Sequence, residues 1–135
     1  MEDIRYLNVD LLIKSRDDLT PIVKAFGEDV IVLSNDKVGK FHYAYFEIAG
    51  SHAGPNEDIE YFCSLVEGLE EEDKKLWDNS FYRIFDIGYE SGTSNNSYFS
   101  DLKEYVVKRI AKFNASIRVT IYPFAPAPEV NNHKQ

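Results

Sequence analysis

The chain has 135 residues, 44% of them hydrophobic and 28% charged, with 23 acidic against 15 basic side chains and a formal charge of -8. That length fits one domain, able to bury about two thirds of the surface its unfolded chain exposes, and the composition is that of a globular protein rather than a disordered or fibrous one. The negative field repels phosphate backbones and attracts basic partners, which argues against direct nucleic-acid binding, although such charge also serves simple solubility.

Leu7, Val9, Leu11 and Ile13 alternate with polar residues, the period-two pattern of a strand with one buried face. Ser15, with Asp18 three residues on, predicts a helix cap, and Leu19, Ile22, Val23 and Phe26 then recur at helical spacing until Gly27. Val30 to Leu33 reads as a second strand and Ser34 to Gly39 as a turn. Lys40 to Ile48 follows as an aromatic-rich third strand, with Phe41, Tyr43 and Tyr45 on one face and Ala44, Phe46 and Ile48 on the other. Gly50, Gly54 and Pro55 mark a loop. Asn56 predicts the cap of a second helix, in which Ile59, Phe62, Cys63, Val66 and Leu69 form one stripe.

Glu70 to Asp73 is an acidic run leading into Lys74, Lys75, Leu76 and Trp77, a further helical turn that returns Leu76 and Trp77 to the core. Phe81 to Tyr89 reads as a fourth strand, with Arg83 and Asp86 on opposite faces, and Ser91 to Ser97 as a polar loop. Ser100 predicts the cap of a helix carrying Leu102, Tyr105, Val106, Ile110 and Phe113, stopped at Asn114. Ile117, Val119 and Ile121 alternate as a last strand. The order β-α-β-β-α-β-α-β implies an α+β fold, a mixed β-sheet with helices packed mainly on one face. One domain is expected over residues 1–123, with a frayed, proline-rich tail over 124–135.

Cys63 is the only cysteine, so an intramolecular disulfide and a cysteine-based zinc cluster are excluded. No secretion signal is visible in the first residues, and no apolar run approaches the roughly 20 residues that span a bilayer, so a cytoplasmic protein without membrane contact is expected. His42, His52 and His133 do not stand at metal-ligand spacing, and no glycine-rich phosphate loop occurs, so neither a metal nor a cofactor is expected. His52, in a glycine-containing loop, is the one candidate base, and Cys63 a candidate nucleophile that the apolar stripe instead marks as structural. Carboxylates such as Glu47 and Asp86 could pair by chance in so acidic a chain, so their number alone points to no enzyme.

The acids are concentrated. Glu57, Asp58, Glu60, Glu67, Glu70, Glu71, Glu72 and Asp73 lie along or just after one helix, offset locally by Lys74 and Lys75. Such a ridge suits either solvent or a basic protein, with Tyr61 or Trp77 as anchors. The aromatic strand from Phe41 to Phe46 offers a homodimer face as an alternative to filling a core.

The segments Arg5-Tyr6-Leu7-Asn8-Val9-Asp10-Leu11, Arg83-Ile84-Phe85-Asp86-Ile87-Gly88-Tyr89-Glu90 and Ala115-Ser116-Ile117-Arg118-Val119-Thr120-Ile121-Tyr122-Pro123 resemble those of small bacterial immunity proteins of contact-dependent growth inhibition and related polymorphic toxin systems. The resemblance runs to about Pro123 and rests on strand signatures. It implies a non-enzymatic protein that binds one cognate toxin domain and occludes its active site. Many such toxins are nucleases, whose basic grooves an acidic inhibitor complements. Charge position then nominates Glu67, Glu70, Glu71, Glu72, Asp73, Asp86 and Glu90 as toxin contacts. Two other classes remain open: a small hydrolase using His52 or an acidic pair, and an acidic nucleic-acid mimic that inhibits a DNA-binding protein.

Overall fold

A computed structural model describes residues 1–125. Strands β1 (Arg5–Ser15), β2 (Val30–Val38), β3 (Phe41–Ile48), β4 (Tyr82–Glu90) and β5 (Ser116–Tyr122) form one sheet in the order β2-β3-β1-β4-β5. Four helices accompany it: α1 (Thr20–Phe26), α2 (Pro55–Glu67), α3 (Glu71–Asn79) and α4 (Glu104–Lys112). β1 is central and pairs antiparallel with β3 and β4, while β4 and β5 run parallel across the α4 connection. The fold is therefore the α+β arrangement with a mixed sheet that the element order implies.

One apolar core accounts for the placement of the helices. Val9, Leu11 and Ile13 from β1, Ala44, Phe46 and Ile48 from β3, and Phe85, Ile87 and Tyr89 from β4 share a single sheet face. They pack with Ile22 and Phe26 of α1, Ile59, Phe62, Cys63 and Val66 of α2, Trp77 of α3 and Val106 and Ile110 of α4. Burying one such side chain contributes about 2 kcal/mol, so every helix is held against this face by its own apolar stripe. Phe26 meets Phe46 edge-on at 5.1 Å between ring centres, and Phe62 lies 5.9 Å from Phe85. Trp77 is fully buried, and its indole nitrogen donates a 3.1 Å hydrogen bond to the Phe113 carbonyl. The turn read from Glu70 to Trp77 is thus a nine-residue helix that closes the core.

Several boundaries differ from the sequence reading. β1 continues through Ser15, which is no helix cap; its hydroxyl accepts from the Asp17 amide, and Asp18 accepts from Thr20 just before the helix proper. β2 extends to Val38 rather than ending at Leu33, so the turn shrinks to Gly39 and Lys40. Gly39 takes the positive φ of 63° that a two-residue hairpin demands of its first turn residue. Neither Asn56 nor Ser100 caps a helix: α2 starts after Gly54 and α4 after Lys103. Asn56 instead clamps the segment before α4, donating to the Asp101 carbonyl and accepting from the Lys103 amide. A bulge between Tyr6 and Asn8 makes Leu7 the extra residue of β1 and turns Tyr6 towards the core, where it meets Tyr89. Of the predicted tail, residues 126–135 lie outside the described part. Among the described residues no helix is long and apolar enough to cross a membrane.

Candidate functional site

The sheet has a second face, and among the described residues no helix lies on it, since α1, α2, α3 and α4 all pack into the core on the first. Strand alternation places Asp10, Leu12 and Lys14 of β1, Tyr43, Tyr45 and Glu47 of β3, Tyr82, Ile84, Asp86 and Glu90 of β4, and Arg118 and Thr120 of β5 there. The pairing register then aligns three carboxylates across three strands, because Asp10 stands opposite Glu47 on one side and opposite Asp86 on the other. Directly opposed side chains on neighbouring strands have Cβ atoms about 5 Å apart, and like charges so placed repel. The next row is apolar and aromatic, with Leu12 between Tyr45 and Ile84; Leu12 is only 8% exposed although it faces away from the core.

The three acids are unequally supported. Glu47 lies 3.0 Å from Nε2 of His52, and Asp86 accepts a 2.7 Å hydrogen bond from the Thr120 hydroxyl. Asp10 has only a long 3.4 Å contact from the Asn8 amide. Burial, followed by the charges of Glu47 and Asp86, pushes the Asp10 carboxyl up to about 6 from 3.8, with His52 opposing. The strong cations of this face make no ion pair within 4.0 Å with the row among the described residues, although Arg118 stands opposite Asp86 in the β4–β5 register. Arg118 donates to the Tyr82 hydroxyl at 2.6 Å, and Lys14 lies over the rings of Phe41, Tyr43 and Phe81.

His52 links this face to the helix layer. Its Nδ1 is 3.4 Å from the buried Asp58 of α2, without hydrogen-bond alignment, and Asp58 also accepts a hydrogen bond from the Tyr6 hydroxyl. Burial and then that bond raise the Tyr6 hydroxyl far above the ordinary tyrosine range. The imidazole thus meets carboxylates on both sides. The Cys63 thiol is fully buried, and burial pushes it up to about 11. Among the described residues no set of three or more His, Cys, Asp or Glu is arranged to hold a metal ion.

The acids nominated from charge position do not share one surface. Glu70, Glu71, Glu72 and Asp73 stand at the start of α3 in the helix layer, the first three exposed, with Lys75 within 3.9 Å of Glu71 and 3.6 Å of Glu72. Glu67, at the end of α2, faces Arg109 and Lys112 of α4 at 3.6 and 3.7 Å, so its charge is largely balanced. Asp86 and Glu90 lie on the opposite, open face, where Glu90 pairs with Arg5 at 3.0 Å. Of the two proposed anchors, Trp77 is removed by its burial. Tyr61 remains 44% exposed, bonded to Asp29, and lines a groove between α2 and α4 of about 560 Å³ with Glu57, Leu65 and Tyr105. The aromatic strand divides: Ala44 and Phe46 fill the core, and Phe41, Tyr43 and Tyr45 are half-exposed on the other face.

Sequence reasoning missed Asp10 as a site residue. Its alternation with Val9 and Leu11 marks it as outward-facing, but only the strand order places Glu47 and Asp86 on either side of it. Comparison of the chain with models of known families, with curated proteins and with solved structures finds no match.

Proposed function

We propose that the chain is an immunity-type inhibitor: it binds a cognate toxin domain, a basic nuclease, and blocks it by covering the groove that holds nucleic acid. The observation that supports this reading is that the fold leaves much of its excess charge unbalanced. Asp10, Glu57, Glu70, Asp73 and Asp86 have no basic side chain within 4.0 Å among the described residues, in a chain of charge -8. A field of this kind accelerates encounter with a positively charged protein and selects against acidic ones.

Co-expression tests the reading. When the C-terminal domain encoded by the gene directly upstream is expressed in a sensitive host, growth is expected to stop, and this chain is expected to restore it. Growth arrest that the chain does not relieve would remove the proposal.

A further inference from the structure

We infer that the bare sheet face, centred on the Glu47–Asp10–Asp86 row, is the surface that receives the basic partner, and that an arginine or lysine side chain of that partner seats against Asp10. The inference rests on the reading of the chain as an inhibitor of a basic protein and adds where that protein docks.

A sheet face that stays in water is ordinarily covered with charged and polar side chains that water can solvate. This one combines Tyr43, Tyr45, Tyr82, Leu12 and Ile84 with three aligned carboxylates. Exposed tyrosines are enriched on protein-binding surfaces, and the acids among them, which such surfaces ordinarily lack, select a positively charged partner. The row also stores unfavourable electrostatics. Asp10 is held half-buried between two acids, and among the described residues no lysine or arginine lies within 4.0 Å of it: Arg118 stands opposite Asp86 but donates to Tyr82, Lys14 lies over three rings, and His52 contacts Glu47 and Asp58. An incoming guanidinium can bridge two carboxylates at once with charge-assisted hydrogen bonds, and it relieves the repulsion that the free protein carries. The acids at the start of α3 offer less. They are exposed and widely screened, and Lys75 already stands beside two of them.

The exposed, mobile-chain nature of a short arginine oligomer makes it a direct probe. Backbone amide shifts of the labelled chain, titrated with hexa-arginine in low salt, are expected to move along β1, β3 and β4 around residues 10, 47 and 86. Asp10→Asn, nearly isosteric and free of the crowded charge, is expected to weaken binding about tenfold. The triple variant Glu70→Lys/Glu71→Lys/Glu72→Lys is expected to change it less than threefold. Shifts confined to residues 70–73, or equal affinity for Asp10→Asn and the parent, would overturn the assignment. So would sedimentation showing a stable dimer that Tyr45→Arg dissociates, because a second copy would then occupy the face.

The growth assay separates the two levels. Loss of rescue by the unaltered chain removes the immunity reading itself. Rescue that is full in the unaltered chain and undiminished in Asp10→Asn/Asp86→Asn keeps that reading and removes this surface.

Discussion

Asp10 shows how one residue records its surroundings. Its carboxyl is pushed up to about 6 in the folded chain and returns to its ordinary 3.8 on unfolding, so between those values the folded state binds the extra proton. Its contribution to stability is therefore complete below about pH 4 and is lost as the pH rises through about 6. Asp10→Asn removes the cost of the ionised form. With the screening of a partly exposed group allowed for, it should raise the urea unfolding free energy by about 1 kcal/mol at pH 7 and change it little at pH 4. Lower stability of the variant at pH 7 would show that burial and the charges of Glu47 and Asp86 do not disfavour the ionised Asp10. Gly92 is constrained by geometry of another kind. A Cβ there would lie 2.3 Å from the Glu2 carbonyl oxygen, where the loop after β4 ties down the N-terminus through Thr93 and Ser94. Gly92→Ala should cost about 1–3 kcal/mol by overpacking, read as a lower thermal midpoint.

The elements differ in how far local pattern determined them. Strong alternation in β1, β3 and β5 and the stripes of α2 and α4 were legible because each rests on a period set by backbone geometry. Caps were not: Ser15, Asn56 and Ser100 are good cap residues by type, yet tertiary structure employs Ser15 in a strand and Asn56 as a clamp to the α4 entry. The extension of β2 through Ser34, Asn35, Asp36 and Lys37 was concealed by turn-forming residue types, which are tolerated because this is an edge strand with only β3 beside it. Two of the three acids in the row were named from sequence, Asp86 as a candidate contact and Glu47 with it as a chance pair; Asp10 joins them only through strand order, a long-range property with no local signature. For α3, the run from Glu70 to Trp77 was legible as a helical turn that returns Trp77 to the core, and only its full length, Glu71–Asn79, was not. Trp77→Ala should therefore cost about 3–5 kcal/mol in denaturant unfolding, since it opens a cavity and leaves the Phe113 carbonyl without its donor. By contrast, the triple lysine replacement at residues 70–72 should cost only about 1–2 kcal/mol, because exposed ion pairs contribute little and the loss is mainly the favourable charge at the start of α3.

At the scale of the whole molecule, the fold separates two jobs. The helix layer absorbs the β1, β3 and β4 part of one sheet face into a single core and leaves Ile117, Val119 and Ile121 of β5 exposed, and the other face is left to present aromatic groups and acids. The excess negative charge is carried on both sides, so long-range attraction to a basic protein belongs to the molecule as a whole, while the grip is assigned to the bare face. The most direct measurement is the association rate of the chain with the upstream-encoded toxin domain as a function of ionic strength. An electrostatically steered inhibitor should associate at least tenfold more slowly at 0.5 M than at 0.05 M salt, as screening shortens the reach of its field. Absence of a complex, or association indifferent to salt, would contradict a charge-driven inhibitor of a basic toxin.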